Sequence, residues 1–321
     1  MKTGKILLVL TVFAAGLFAS CKKNDSTTTY ASFSGSARIL GNVPKFVRAG
    51  DTFTLKTTGI SRSDGGDYGI YWYNSIYSDH RDTTKKIGQP EPYDFEFEVP
   101  DTMSTISVRC VYFASGYYTS TASVNAVIVG PRSLRGQSFV PSQGFVDRRD
   151  DKVYHFTKAG GLDWMAENLA YSEKGGVYFD SPVMETVLGR YYTWTDAQNA
   201  CPEGWRLPTE ADWDALCGDG KGVVKDLISK AEFNYKPMWD YWPVVGDASL
   251  KHGFEALPAG YATFDGTKYS FPDESELAVF WTSDEADAKQ GVYKYLHEKN
   301  PDLMTGRGDK DSFAASVRCV R

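Results

Sequence analysis

Hydrophobic and polar positions follow two different patterns along the chain, and the change falls near Gly130-Pro131. Before it, short runs alternate apolar and polar residues with the period of two expected of half-buried strands. These are Phe53-Thr-Leu55-Lys-Thr57, Ile70-Tyr-Trp-Tyr73, Tyr93-Asp-Phe-Glu-Phe-Glu-Val99, residues 106–113 and residues 122–129. Turn residues separate them, as at Ala49-Gly50-Asp51 and Ser63-Asp-Gly-Gly-Asp67, and no stretch sustains a helical period. Beyond residues 130–137 the pattern is mixed. Residues 145–154 predict a polar turn leading to a strand. One short helix is predicted after Thr193 or Thr195, over residues 196–200. A second runs from Thr209, which can cap it with Asp212 three residues on, to Cys217 before the stop at Gly218. Residues 223–231 add a third short turn, and the remainder reads as loops and short strands rich in glycine and aromatics.

Strands recurring at this spacing predict an all-β sandwich for the first region. Trp72 and Cys110 stand where immunoglobulin-like domains carry their tryptophan and second cysteine, so residues 34–129 resemble an Ig-like module. Phe53 and Leu55 occupy the early strand where a partner cysteine would stand, which leaves packing to hold the sandwich. Such a fold specifies no function by itself.

The first twenty residues read as an export signal: Lys2 and Lys5, an apolar stretch over residues 6–18, then Ala19-Ser20-Cys21. A cysteine directly after such a site resembles a lipobox, in which Cys21 is acylated and becomes the N-terminus. Phe18 stands where leucine is usual. The apolar run is short for a spanning helix, which needs about 20 residues. Residues 22–29 contain no apolar side chain and read as a flexible tether. The expected organisation is a signal peptide over 1–20, a lipidated tether over 21–33, the Ig-like sandwich over 34–129, a linker over 130–144 and a second domain over 145–321.

The length of 321 residues, with 42% hydrophobic and 24% charged, suits two globular domains. A net charge of -6 implies no basic patch, which argues against nucleic acid as a partner. With Cys21 spent on lipid, Cys110, Cys201, Cys217 and Cys319 remain in a compartment where disulfides persist. Four cysteines allow three full pairings. Cys110 in an alternating strand and Cys217 on the apolar side of a helix read as core thiols. Cys201 and Cys319 sit at element edges, and a bridge between them would remove about 4 to 5 kcal/mol of unfolded-chain entropy.

A further resemblance rests on six motifs in order: Trp164-Met-Ala-Glu-Asn-Leu169, Tyr191-Tyr-Thr-Trp194, Ala200-Cys-Pro-Glu-Gly-Trp-Arg-Leu-Pro-Thr-Glu210, Leu257-Pro-Ala-Gly-Tyr261, Phe280-Trp-Thr-Ser283 and Ser316-Val-Arg-Cys-Val320. Over residues 145–321 this succession resembles the Fibrobacter succinogenes major paralogous domain, common on exported bacterial lipoproteins. The resemblance implies an α+β core like that of C-type lectins and formylglycine-generating enzymes, and a Cys201–Cys319 disulfide. It implies no established activity.

An oxidase of the formylglycine-generating type needs two neighbouring cysteines for copper, and Cys319 is alone after Cys217. His80, His155, His252 and His297 lack ligand spacing, and no nucleophile elbow or phosphate loop occurs. Neither calcium-lectin tripeptide motif is present. The aspartates at 147, 150, 151, 309 and 311 do not fit a calcium loop, and Arg307-Gly-Asp309 is a short match in a polar stretch. The expectation is therefore a non-enzymatic protein without cofactor or metal. It is an outer-membrane lipoprotein of the cell envelope that holds the membrane through Cys21 and displays a lectin-like head on an Ig-like stalk. Trp239, Tyr241, Trp242, Tyr261 and Tyr269 are the candidates for stacking on a glycan or a surface protein. The alternative is a structural subunit of a surface assembly.

Overall fold

A computed structural model describes residues 29–74, 81–82, 95–102, 105–240, 248–272 and 276–321. Cys21 and the expected export signal lie outside the described residues. Strands dominate the fold, arranged in several small sheets.

The N-terminal region forms two sheets about one core. One sheet orders Ser34–Leu40, Thr52–Ser61 and Phe95–Glu98 side by side, all antiparallel. The other orders Phe46–Arg48, Ser120–Val129, Thr105–Phe113, Gly69–Asn74 and Arg81–Asp82, with only its first pair parallel. The alternation read in residues 106–112 is realised. Ile106, Val108, Cys110 and Tyr112 point inward with Trp72 and Ile128, and meet Leu55 and Phe97 from the opposite sheet. Each such side chain stabilises by about 1.5–3 kcal/mol on full burial. Trp72 pairs across the ladder with Cys110. Leu55 is fully buried in the same core, and Cys110 is a free thiol, pushed up to about 11 by burial.

The C-terminal region begins with an antiparallel meander of Gly144–Asp147, Lys152–Ala159 and Leu162–Met165. A long antiparallel sheet of Leu277–Glu285, Gln290–His297 and Asn300–Asp309 follows late in the chain. A four-stranded sheet joins Tyr192–Thr193, Phe313–Ala315, Ala262–Phe264 and Tyr269–Ser270. The helices are short. Trp194–Ala197 is capped by the Thr193 hydroxyl, and Glu210–Cys217 by a reciprocal capping box between Thr209 and Asp212. Gly218, at φ 62°, ends the latter where a side chain would strain. The expected turn near 223–231 is the helix Val224–Leu227. Among the described residues no helix is long and apolar enough to cross a membrane.

The last six residues are threaded through this region. Met165 N donates to Cys319 O at 3.0 Å and Leu169 N to Val317 O at 2.9 Å, while Arg206 and Val320 exchange both backbone bonds. Cys201 and Cys319 form a disulfide across 118 residues of sequence. Between the two main cores Arg318 lies 1% exposed. Its Nε donates to Asn168 Oδ1 at 2.7 Å, its Nη1 to Phe254 O at 2.7 Å and Met165 O at 3.1 Å, and its Nη2 to Glu255 O at 3.3 Å. The guanidinium also lies 4.7 Å from the Phe254 ring centroid. Burial lowers its pKa to about 9, against the pull of Glu167 and Glu255. Glu255 itself adopts a left-handed backbone at φ 52°, a strain that the surrounding bonds hold in place.

The segment expected as a linker over 130–144 is structured instead. Leu134–Arg135 pairs with Glu232–Phe233, which pairs in turn with Lys236–Pro237. Across this junction Phe46 N donates to Ser181 Oγ at 3.2 Å and Asn234 Nδ2 to Ile128 O at 2.9 Å. Phe46 and Val129 share a buried cluster with Met184, Val187, Tyr191 and Leu257. The physical reason is that Leu134, isolated among polar neighbours, finds its apolar partners almost a hundred residues away.

Three stability outcomes follow from these contacts. Arg318→Lys offers donors from one point only and strands buried carbonyls, so urea unfolding should show a loss of about 3 kcal/mol. Replacing both Cys201 and Cys319 by serine should lower the same quantity by about 4 to 5 kcal/mol. The Arg206 guanidinium holds Asp212 at about 2, below its usual 3.8, with Thr209 adding hydrogen bonds against the cost of burial. A depressed folded-state value stabilises above the unfolded pKa and is lost as pH falls through the folded one. Thermal melts of the native protein should therefore drop between about pH 4 and pH 2, and Asp212→Asn should flatten that part of the profile.

Candidate functional site

A cleft of about 260 Å³ lies at the edge of the meander, where Lys152–Ala159 faces the helix Glu185–Leu188. Its wall alternates charge and apolar surface: Lys152, Glu167, Asn168, Glu185 and Arg318 among Leu134, Val153, Val187 and Leu257. Lys152 opens its strand after Asp151, whose left-handed φ of 57° turns the chain. Lys152 Nζ donates to the Ala170 carbonyl, and lies 2.7 Å from Glu185 Oε1 and 3.1 Å from Asp150 Oδ2. Glu185 is held from its other oxygen by Arg190 at 2.5 Å. Glu167 accepts from the backbone of His155 at 2.5 Å and meets its ring Nδ1 at 3.0 Å. Asn168 donates to Leu188 O and to Ser316 Oγ while accepting from Arg318.

Every charged group in the wall is thus fixed before any ligand arrives. Two cations, two carboxylates and an amide are presented in rigid positions beside apolar surface, a pattern that suits recognition of a small polar molecule. Tyr154, whose hydroxyl accepts from Ala170 N at 3.0 Å, is raised by burial and serves as a neutral wall residue. No cysteine lines the cleft. Cys217 is buried with its thiol pushed up to about 12 by burial, and Cys319 is tied to Cys201. Among the described residues no group of three or more His, Cys, Asp or Glu is placed to hold a metal ion.

The described residues among those singled out from sequence fall elsewhere. Tyr241 and Trp242, like Cys21, lie outside the described residues. Trp239 is 1% exposed and donates its indole Nε1 to Ala256 O at 2.8 Å, so its ring fills the core and has no face free for a ligand. Tyr261 is half-buried and stacks on Phe313 at 5.1 Å, and Phe313 stacks on Tyr293 at 4.9 Å. Tyr269 is half-buried against Phe264 at 4.5 Å, and burial pushes its hydroxyl up to about 12. Tyr261 and Tyr269 pack against different clusters. The Arg307-Gly-Asp309 tripeptide is no loop tip: it ends a strand, opposite Val292, Gly291 and Gln290, and the Asp309 carboxylate accepts from Asp311 N and Ser312 N.

Sequence reasoning missed the cleft residues Lys152, Glu185 and Arg318. Two cleft residues, Asn168 and Arg318, stand inside motifs quoted for the family, and an arginine in an otherwise small and apolar run was the available signal.

No curated protein and no solved structure matches the chain. A family model, the Fibrobacter succinogenes major domain, matches residues 157–321, which spans the disulfide, Arg318 and most of the cleft. With more than half of its length in that match, the chain belongs to the Fibrobacter succinogenes major domain family.

Proposed function

We propose that this protein is a cell-envelope lipoprotein, anchored through Cys21 in the outer membrane, whose C-terminal domain is a non-catalytic binding head of C-type-lectin-like fold on an Ig-like stalk. The observation that carries the binding role is the cleft, rigid and polar, with Lys152, Glu167 and Glu185 each held by fixed partners. At about 260 Å³ it lies just below the range typical of drug-sized ligands, which suits one sugar residue or a similarly small polar group. The fixed carboxylates offer remaining acceptor positions to hydroxyls, and Val153 and Leu257 offer apolar surface to a ring face. The Ig-like reading of the stalk is supported by Trp72 packed with Cys110 between two facing sheets.

A second reading, a structural subunit of a surface assembly, is favoured by Val146 and Val153. They pair across the meander with their side chains outward, at 51% and 60% exposure. A glycan array probed with the purified protein separates the two. The binding reading expects array hits whose affinity falls at least about tenfold, or 1.4 kcal/mol, in Val153→Trp, which roofs the cleft from an exposed position. Hits that bind this variant equally would remove the cleft from the account. A blank array together with a stoichiometric surface partner lost in the same variant would favour the assembly role.

A further inference from the structure

The tether and the head leave the N-terminal sandwich at opposite ends. Strand Ser120–Val129 spans ten residues, about 30 Å at the usual rise, from the turn at 114–119 to the junction, where Val129 packs with the family domain. The start of the described chain is clamped to that turn. Ala31 N donates to Gly116 O and Tyr118 N donates to Ala31 O, both at 2.9 Å. Whatever precedes residue 29 therefore arrives at the end of the sandwich away from the head.

Two large aromatic side chains are turned outward there. Tyr30 is 47% and Tyr118 62% exposed, with ring centroids 5.3 Å apart. Behind them Phe33 packs on Tyr117 at 5.1 Å, and the Arg62 guanidinium covers Tyr117 at 4.7 Å while paired to Asp64. The outer pair thus rests on a packed base with its nearby cation already neutralised.

Cys21 precedes Tyr30 by nine residues, a reach of about 30 Å even when fully extended. A lipid on Cys21 would keep this end of the sandwich close to the bilayer. Tyrosine, with an apolar ring and a polar tip, is a residue type that settles at the boundary between headgroups and water. We infer that Tyr30 and Tyr118 form a bilayer-interface contact, seating the stalk end in the headgroup layer of the membrane that holds Cys21 and directing the head outward. The inference rests on the lipid anchor put forward under Proposed function. The pair adds a second, non-covalent point of attachment, which restricts the tilt that a single lipid attachment would leave free.

The test uses full-length protein isolated from membranes, with acylation of Cys21 read from the mass of its N-terminal peptide. The protein is reconstituted into phosphatidylethanolamine and phosphatidylglycerol vesicles carrying a headgroup spin label. An environment-sensitive dye is placed at exposed Thr119 through Thr119→Cys, the native thiols Cys110 and Cys217 being buried. Quenching of the dye should fall about twofold when Tyr30→Ser and Tyr118→Ser are combined, and return when both are tryptophan instead. Equal quenching in all three acylated proteins would overturn the contact and leave the anchor standing, the result also expected if a partner protein covers the pair. An unacylated N-terminal peptide on protein that fails to hold vesicles would overturn the anchor, and this contact with it.

Discussion

A guanidinium buried among neutral oxygens gives up several kcal/mol of hydration, and it persists only where the surrounding groups replace water almost completely. Arg318 meets that demand with one amide oxygen, three backbone carbonyls and the face of Phe254. Those oxygens belong to segments far apart in sequence: Met165 and Asn168 near the start of the domain, and Phe254 and Glu255 near its middle. Arg318 itself lies three residues from the C-terminal Arg321. One side chain therefore fixes the relative position of three pieces of chain that have few regular hydrogen bonds of their own. The two- to four-residue strands and four-residue helices of this domain could not be self-supporting, so the buried cation and the neighbouring Cys201–Cys319 disulfide help to hold them between its longer elements.

The cleft inherits its rigidity from that knot. Asn168, oriented by Arg318, also reaches Leu188 O and so ties the helix that presents Glu185 to the motif that presents Glu167. Lys152, bridging Glu185 and Asp150, closes the meander onto the same helix. Charges held in this way lose little freedom when a ligand arrives. The junction with the N-terminal sandwich adds to this. Leu134, in the cleft wall, is paired with Phe233, and Phe46 and Val129 pack into the same cluster as Val187 and Leu257, so the N-terminal sandwich and the cleft share structure.

Local features were the legible ones. The capping box at Thr209 and Asp212 and the stop at Gly218 needed only neighbours within one helical turn. The alternation at 106–112 needed only the two faces of a strand. The six motifs carried the family, and with it the disulfide pairing that cysteine counting left open. What could not be read depended on remote partners. Leu134–Arg135 is too short to show a period, and its pairing partner Glu232–Phe233 is distant, so the segment looked like a linker. Trp239 sits in a loop rich in glycine and aromatics that resembles a binding surface, yet its indole finds Ala256 O and turns inward.

The sequence alone determined the β-rich character, the family and the local capping, because periodicity, motif order and neighbouring side chains act over a few residues. Only the tertiary structure decided where Arg318 spends its charge, which aromatics are buried, and that Lys152, Glu167 and Glu185 converge on one cleft. Burial and convergence depend on contacts between segments tens to hundreds of residues apart, and the order of residues along a chain does not display such contacts.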